Sequence, residues 1–191
     1  MQTKKDNLKK LALCSVFIAL ATVLSFIKVY NLPLGGAITL LSMLPIILIG
    51  RFLGVKWGLI TAFVYSLVQL FQGILDGLFA WGLSPLSLVG AIFLDYILAF
   101  SVLGLVGIIK SEKPFFITIS TALVLILRFL CHFLSGVIIF DIWCEWDSVW
   151  IYSLCYNGSF MLPELIFTCL ATAIIFSLPA FKKLKSKIEF L

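Results

Sequence analysis

Long apolar runs recur along this whole chain, at roughly 9–28, 37–53, 56–75, 84–109, 115–140 and 149–180. A helix needs about 20 apolar residues to cross the roughly 30 Å hydrocarbon core of a bilayer, so these runs read as six membrane helices. A soluble domain of 191 residues cannot hide a composition that is 62% hydrophobic and only 12% charged, because much of its surface must face water. The expected fold is all-α: a polytopic membrane protein with six transmembrane helices, residues 1–191 forming a single integral membrane domain. Pro45 is expected to interrupt or kink the second run, and Pro163 to bend the last. The stretch from Gly77 to Leu86 reads as a short interfacial segment.

Charge sets the orientation. Lys4, Lys5, Lys9 and Lys10 precede the first run, and Lys182, Lys183, Lys185 and Lys187 follow the last. With both termini cytoplasmic, the inner connections hold Arg51 and Lys56, then Lys110 and Lys113. Twelve of the 14 Lys and Arg then lie inside, as the positive-inside rule requires. The outer connections carry Lys28 with Asp76, Asp141, Glu145 and Asp147. The basic clusters abut apolar runs, which points to an anionic inner leaflet and away from nucleic acid. The first run is too long for a signal-peptide core and no A-x-A site follows it. The 5 cysteines have no C-x-x-C spacing, which argues against a metal site or a disulfide framework.

An ionisable group within the membrane is expensive unless paired or wetted, so each is a candidate functional residue. Asp95 lies in the fourth run, Arg128 and His132 in the fifth, and Glu164 in the sixth, with Tyr152 and Asn157 near its start. At about 1.5 Å per helical residue, Asp95 lies roughly 22 Å above Lys110 and His132 roughly 28 Å above Lys113. Three helices thus bring polar groups to the outer half of the bilayer, which suggests a pocket open to the outside. Structural readings compete at each position. Arg128 reads as a structural cation held by Asp95 or by Glu164, His132 as a satisfied core residue, and the tyrosines as interfacial aromatics. Trp143, Trp146 and Trp150 crowd the last outer connection beside Phe140, as belt aromatics or as a lid. An aromatic face attracts a cation and a carboxylate complements it, so the favoured ligand is flat, cationic and able to hydrogen bond.

Ser15-x-x-x-Ala19 places two small side chains one turn apart on the first helix, a face suited to close helix approach within the protein or with a second membrane subunit. There is no G-x-x-x-x-G-K-[ST] loop, no H-E-x-x-H and no G-x-S-x-G, so neither ATP binding of the usual kind nor catalysis is expected, and no cofactor. Energy for uptake would come from a partner or an ion.

Several segments together resemble the thiamine-specific S-component family of energy-coupling factor transporters. They are Gly35-Gly36-Ala37-Ile38-Thr39-Leu40 running to Met43-Leu44-Pro45, Leu94-Asp95-Tyr96-Ile97, Arg128-Phe129-Leu130-Cys131-His132-Phe133 with Ser135-Gly136, and Trp150-Ile151-Tyr152-Ser153-Leu154 with Tyr156-Asn157. The resemblance implies a prokaryotic plasma-membrane subunit that captures external thiamine, a transmembrane coupling subunit and two cytoplasmic ATPases. It implies that Asp95 and His132 face the thiazolium, Tyr96 the hydroxyethyl end, and Tyr152 and Asn157 the aminopyrimidine. Phe140 or Trp143 stands where members carry a stacking tryptophan, and Ser15 and Ala19 match the docking face. The first outer loop lacks the tryptophan and glutamate that members can carry. Alternatives are another vitamin or a thiamine precursor as ligand, a small membrane enzyme using Asp95, His132 and Glu164, or a ligand-free assembly subunit.

Overall fold

A computed structural model describes residues 2–179 together with 181 and 183. Of the closing basic cluster, Lys182, Lys185 and Lys187 lie outside the described residues. Five helices are long and apolar enough to cross a membrane: α1 (Gln2–Phe26), α2 (Leu44–Leu75), α3 (Pro85–Ile108), α4 (Pro114–Ile138) and α5 (Val149–Ser177). The chain is mostly helical but not all-α. An antiparallel hairpin of β1 (Lys28–Asn31) and β2 (Ala37–Thr39) joins α1 to α2. Residues 37–39, expected to open the second helix, are this second strand. Pro33 and two glycines turn the chain there, and Gly35 takes φ +92, a left-handed angle that residues with a Cβ rarely adopt.

The second and third apolar runs are continuous in α2 but not straight. Gly54 has φ +80 and ψ 177, which breaks the helix into legs 44–53 and 55–75. In one straight helix Gly50 and Gly58 would stand about 12 Å apart. Here a Cβ on Gly58 would lie 2.9 Å from the Gly50 Cα, so the legs double back on each other. Pro45 does not kink the second run. It occupies the first turn of α2, where its missing N–H has no intrahelical partner to lose. Pro85 and Pro114 open α3 and α4 in the same way.

Glycine allows the tightest contact in the fold. A Cβ on Gly104 would meet the Gly58 carbonyl carbon at 2.5 Å, and one on Gly107 the Gly50 carbonyl oxygen at 2.5 Å. The end of α3 therefore lies directly on the reversal of α2, the close approach that small residues permit between membrane helices. Arg51 finishes this corner. Its guanidinium is buried, donates to the Ser111 carbonyl at 2.6 Å and to the Ile109 carbonyl, and lies 3.9 Å from Glu112. It thereby satisfies carbonyls left open where α3 ends. The core around Met43, Ile46, Tyr65, Leu103 and Leu125 is sealed. Large apolar side chains such as Val23, Phe71, Leu86, Leu123 and Leu154 face outward instead, far more than a water-facing surface carries.

Candidate functional site

A cavity of about 130 Å³ opens among the hairpin, the second leg of α2, α3, α4 and α5. One water needs only about 10–15 Å³ on this measure, so the space suits an organic molecule. Three carboxylates (Asp76, Asp95, Glu164) and two cations (Lys28, Arg128) line it. With His132 neutral, the wall carries one net negative charge.

Asp95 and Tyr96 sit in a π-helical stretch of α3, Ile92–Leu98, a distortion that recurs at functional sites because it re-aims side chains. The Asp95 Oδ1 lies 2.9 Å from His132 Nδ1, and the Ser135 hydroxyl donates to Oδ2 at 2.5 Å. Both partners come from one face of α4, three residues apart. Asp95 and Arg128 form no ion pair, so this carboxylate is not consumed by the nearby guanidinium. Arg128 lies instead over the Phe100 ring, 4.2 Å from its centroid, with its Nη1 against the Met43 sulfur. A cation–π contact of that kind stabilises a desolvated guanidinium.

Nor do Arg128 and Glu164 form the expected structural ion pair: no salt bridge joins them among the described residues. Glu164 is buried, and among the described residues its hydrogen bonds run through Oε1, which accepts from the Thr39 backbone N–H at 2.5 Å and the Thr39 hydroxyl at 2.7 Å. Thr39 Oγ1 also lies 2.7 Å from Ser42 Oγ. A helix residue thus holds the end of the hairpin, and the strand's otherwise open N–H is satisfied.

Asn157 and Tyr152 line the cavity as expected. Asn157 Nδ2 donates to the His132 carbonyl at 3.2 Å and the Ser153 carbonyl at 3.0 Å, and among the described residues no hydrogen bond is made to Oδ1. Gly136 makes this possible, since any side chain there would strike Ser153 and Asn157. Tyr96 also lines the space, with its ring laid against Gly73 so closely that a Cβ on that glycine would overlap it. Phe140 lines the cavity and packs on Trp81 at 6.1 Å and on Trp143 at 5.5 Å between centroids. Trp143 does not itself line the cavity and touches Phe140. Trp150 packs at a tilt on Phe133, and Trp146 meets Tyr152 edge-on. The indole that reaches the cavity is Trp81, which lies over Gly35.

The hairpin side of the cavity was not predicted. Tyr156 donates to the Pro33 carbonyl and accepts from the Gly36 N–H at 3.3 Å, pinning the loop to α5. Lys28 pairs with Asp76 at 2.8 Å between the hairpin and the end of α2. Gln69, Gln72 and Ser25 form a hydrogen-bonded string beside them. Two glutamines three apart in an apolar helix were a readable signal, because unpaired amides are costly in a membrane. Ser15 and Ala19 do not line the cavity and are exposed on α1. Among the described residues no group of three or more His, Cys, Asp or Glu could hold a metal ion.

Known proteins agree with this frame. The chain is 31% identical over 188 residues to the thiamine transporter ThiT of Bacillus subtilis, covering 91% of this chain and 93% of that protein. A solved structure of ThiT from Listeria monocytogenes superposes with a TM-score of 0.75 over 94% of this chain and 98% of that one; at 22% identity it speaks to the fold alone. The model of the thiamine transporter protein family matches residues 11–185. With five apolar helices of membrane-crossing length and a match along nearly its whole length, this chain is a multi-pass cell-membrane protein that belongs to the thiamine transporter family.

Proposed function

We propose that this protein captures external thiamine as the substrate-binding S-component of an energy-coupling factor importer. The observation that carries the reading is the uncompensated carboxylate: Asp95 is held by His132 and Ser135, while the nearest guanidinium is turned onto Phe100. A thiazolium beside Asp95 and His132 would neutralise the one net negative charge of the wall. Tyr96 would face the hydroxyethyl end, and Tyr152 and Asn157 the aminopyrimidine, through Asn157 Oδ1. Phe140 and Trp81 would supply the flat faces, with Trp143 as support.

The reading extends to topology and partners. Residues 1–191 act as one binding unit, and the reversal of α2 at Gly54 would send its two legs in opposite directions, so that the hairpin and the short first leg together make one of six passes with both termini inside. Ser15 and Ala19, exposed and small, would meet a transmembrane coupling subunit that works with two ATPases. The protein acts as a carrier and catalyses no covalent step. Intrinsic tryptophan quenching on purified, ligand-free protein tests this. Saturable quenching at micromolar thiamine is expected; no quenching refutes the reading.

A further inference from the structure

Trp81 belongs to the connection between α2 and α3, yet its ring rests on two other connections. Its own connection holds a short turn, Leu78–Ala80. Glycines flank that stretch, Gly77 at φ +99 and Gly82 at φ +70, left-handed angles that residues with a Cβ rarely take. Leu78 is buried and Trp81 half-buried, while Phe79 and Ala80 are exposed. A Cβ on Gly35 would fall 2.8 Å from Trp81 Cη2 and 3.4 Å from Cζ2, so the indole occupies the place that a hairpin side chain would take. The same ring packs on Phe140, with centroids 6.1 Å apart. One indole therefore joins the hairpin to the α4–α5 connection, and Gly35, Trp81 and Phe140 all line the cavity.

The hairpin is held differently on its two sides. On the α5 side the Gly36 N–H donates to Tyr156 at 3.3 Å, and the Thr39 N–H donates to Glu164. Parting these would strand backbone donors, which is costly away from water. On the α2–α3 side stand the indole on Gly35 and the Lys28–Asp76 ion pair. The Asp76 side chain keeps 50% of its exposure, and pairs so placed contribute little. The indole is the larger hold there, since a ring of that size covers much apolar area. It can also part from Gly35 without leaving a backbone donor unpaired. The Trp81 side is therefore the side on which the hairpin opens.

We propose that Trp81 is a positioning residue that holds the hairpin closed by seating on Gly35, and that this hold sets how slowly a captured ligand leaves. The retention half rests on the thiamine reading above and deepens it, whereas the hold on the hairpin needs no ligand. Truncating the ring shifts the population toward the open form, which speeds release and does not slow entry. A ring that only walled the ligand would also slow release, but it would leave the ligand-free hairpin unaffected.

Hydrogen–deuterium exchange on the ligand-free full chain in detergent, wild type against Trp81→Ala, reads the hold directly. Residues 28–39 of the hairpin are expected to exchange at least threefold faster in the variant, with residues 117–131 of α4 unchanged. Release of tritiated thiamine into excess unlabelled thiamine reads retention without relying on the fluorescence of the ring removed. Dissociation is expected to quicken at least tenfold, with association no slower than in wild type. Unchanged hairpin exchange overturns the inference even where release quickens, because Trp81 then acts on the ligand alone. Unchanged release overturns it too, as does a rise in exchange spread equally over α4, which marks general loss of stability. If Trp81→Ala does not yield folded protein, Trp81→Leu replaces it under the same expectations, and unchanged exchange or release again overturns the inference. Wild type that fails to bind thiamine refutes the functional reading and leaves the exchange comparison standing, whereas thiamine binding with unaltered hairpin exchange refutes this inference alone.

Discussion

Replacing Asp95 with Asn removes a charge and almost nothing else. The amide is isosteric with the carboxylate, and its oxygen can still accept from Ser135, now 2.5 Å away, or pair with His132, now at 2.9 Å. Those bonds exist with and without ligand, so they largely cancel from the binding difference. The Coulomb attraction to a bound thiazolium does not cancel. At about 4 Å and an effective dielectric near 20 it is worth about 4 kcal/mol, an upper bound because the Asp95 side chain keeps 17% of its exposure. The lower bound is about 1.4 kcal/mol, a tenfold change. Asp95→Asn is therefore expected to weaken thiamine between tenfold and about a thousandfold. An uncharged analogue, with a neutral ring in place of the thiazolium, should lose less than threefold. Titration of both ligands into both proteins isolates the charge–charge contribution as a double-difference cycle. Equal losses for the charged and neutral ligands would show that Asp95 acts through packing or hydrogen bonding, and the electrostatic argument would fail.

Other outcomes follow from the same geometry. Gly73→Ala drives a methyl into the Tyr96 ring; the tyrosine must swing, so thiamine affinity should drop about tenfold, about 1.4 kcal/mol, with the thermal midpoint in detergent nearly kept. Gly104→Ala pushes a Cβ to 2.5 Å from the Gly58 backbone, which cannot yield, and overpacking of about 1–3 kcal/mol should lower the midpoint by several degrees; an unchanged midpoint contradicts the close-packed corner. Ala19→Trp on the exposed face of α1 should leave thiamine binding within twofold and abolish uptake in cells carrying the full transporter; retained uptake excludes that face as the docking surface.

Much of this was legible because a bilayer leaves a chain few options. Helix positions followed from hydropathy alone, and the break near residue 54 was visible as a dip between two apolar runs. The convergence of Asp95, His132, Tyr152 and Asn157 was readable from helical rise, since depth in a membrane is a one-dimensional quantity. Partners were less readable. Charge counting paired Arg128 with a carboxylate, but the Phe100 ring took it, and Thr39 took Glu164. Sequence spacing gives depth along a helix but not the rotation that decides which neighbour is met. The hairpin hid for another reason. Lys28-Val29-Tyr30-Asn31 and Ala37-Ile38-Thr39 are short strands around a Pro-Gly turn, yet they border apolar runs and hydropathy absorbed them. Trp81 became part of the cavity only through its tertiary contacts with Gly35 and Phe140.

A carboxylate that Arg128 leaves unpaired calls for a cation resting against Asp95 inside the cavity. The most direct measurement is a crystal structure of the protein saturated with thiamine. It should place the thiazolium within about 4–6 Å of the Asp95 carboxylate, the distance at which an opposite charge acts strongly, with the ligand bounded by His132, Tyr156 and Trp81. A thiazolium at the opposite end of the cavity, or thiamine bound elsewhere with Asp95 sealed against Arg128, would contradict it.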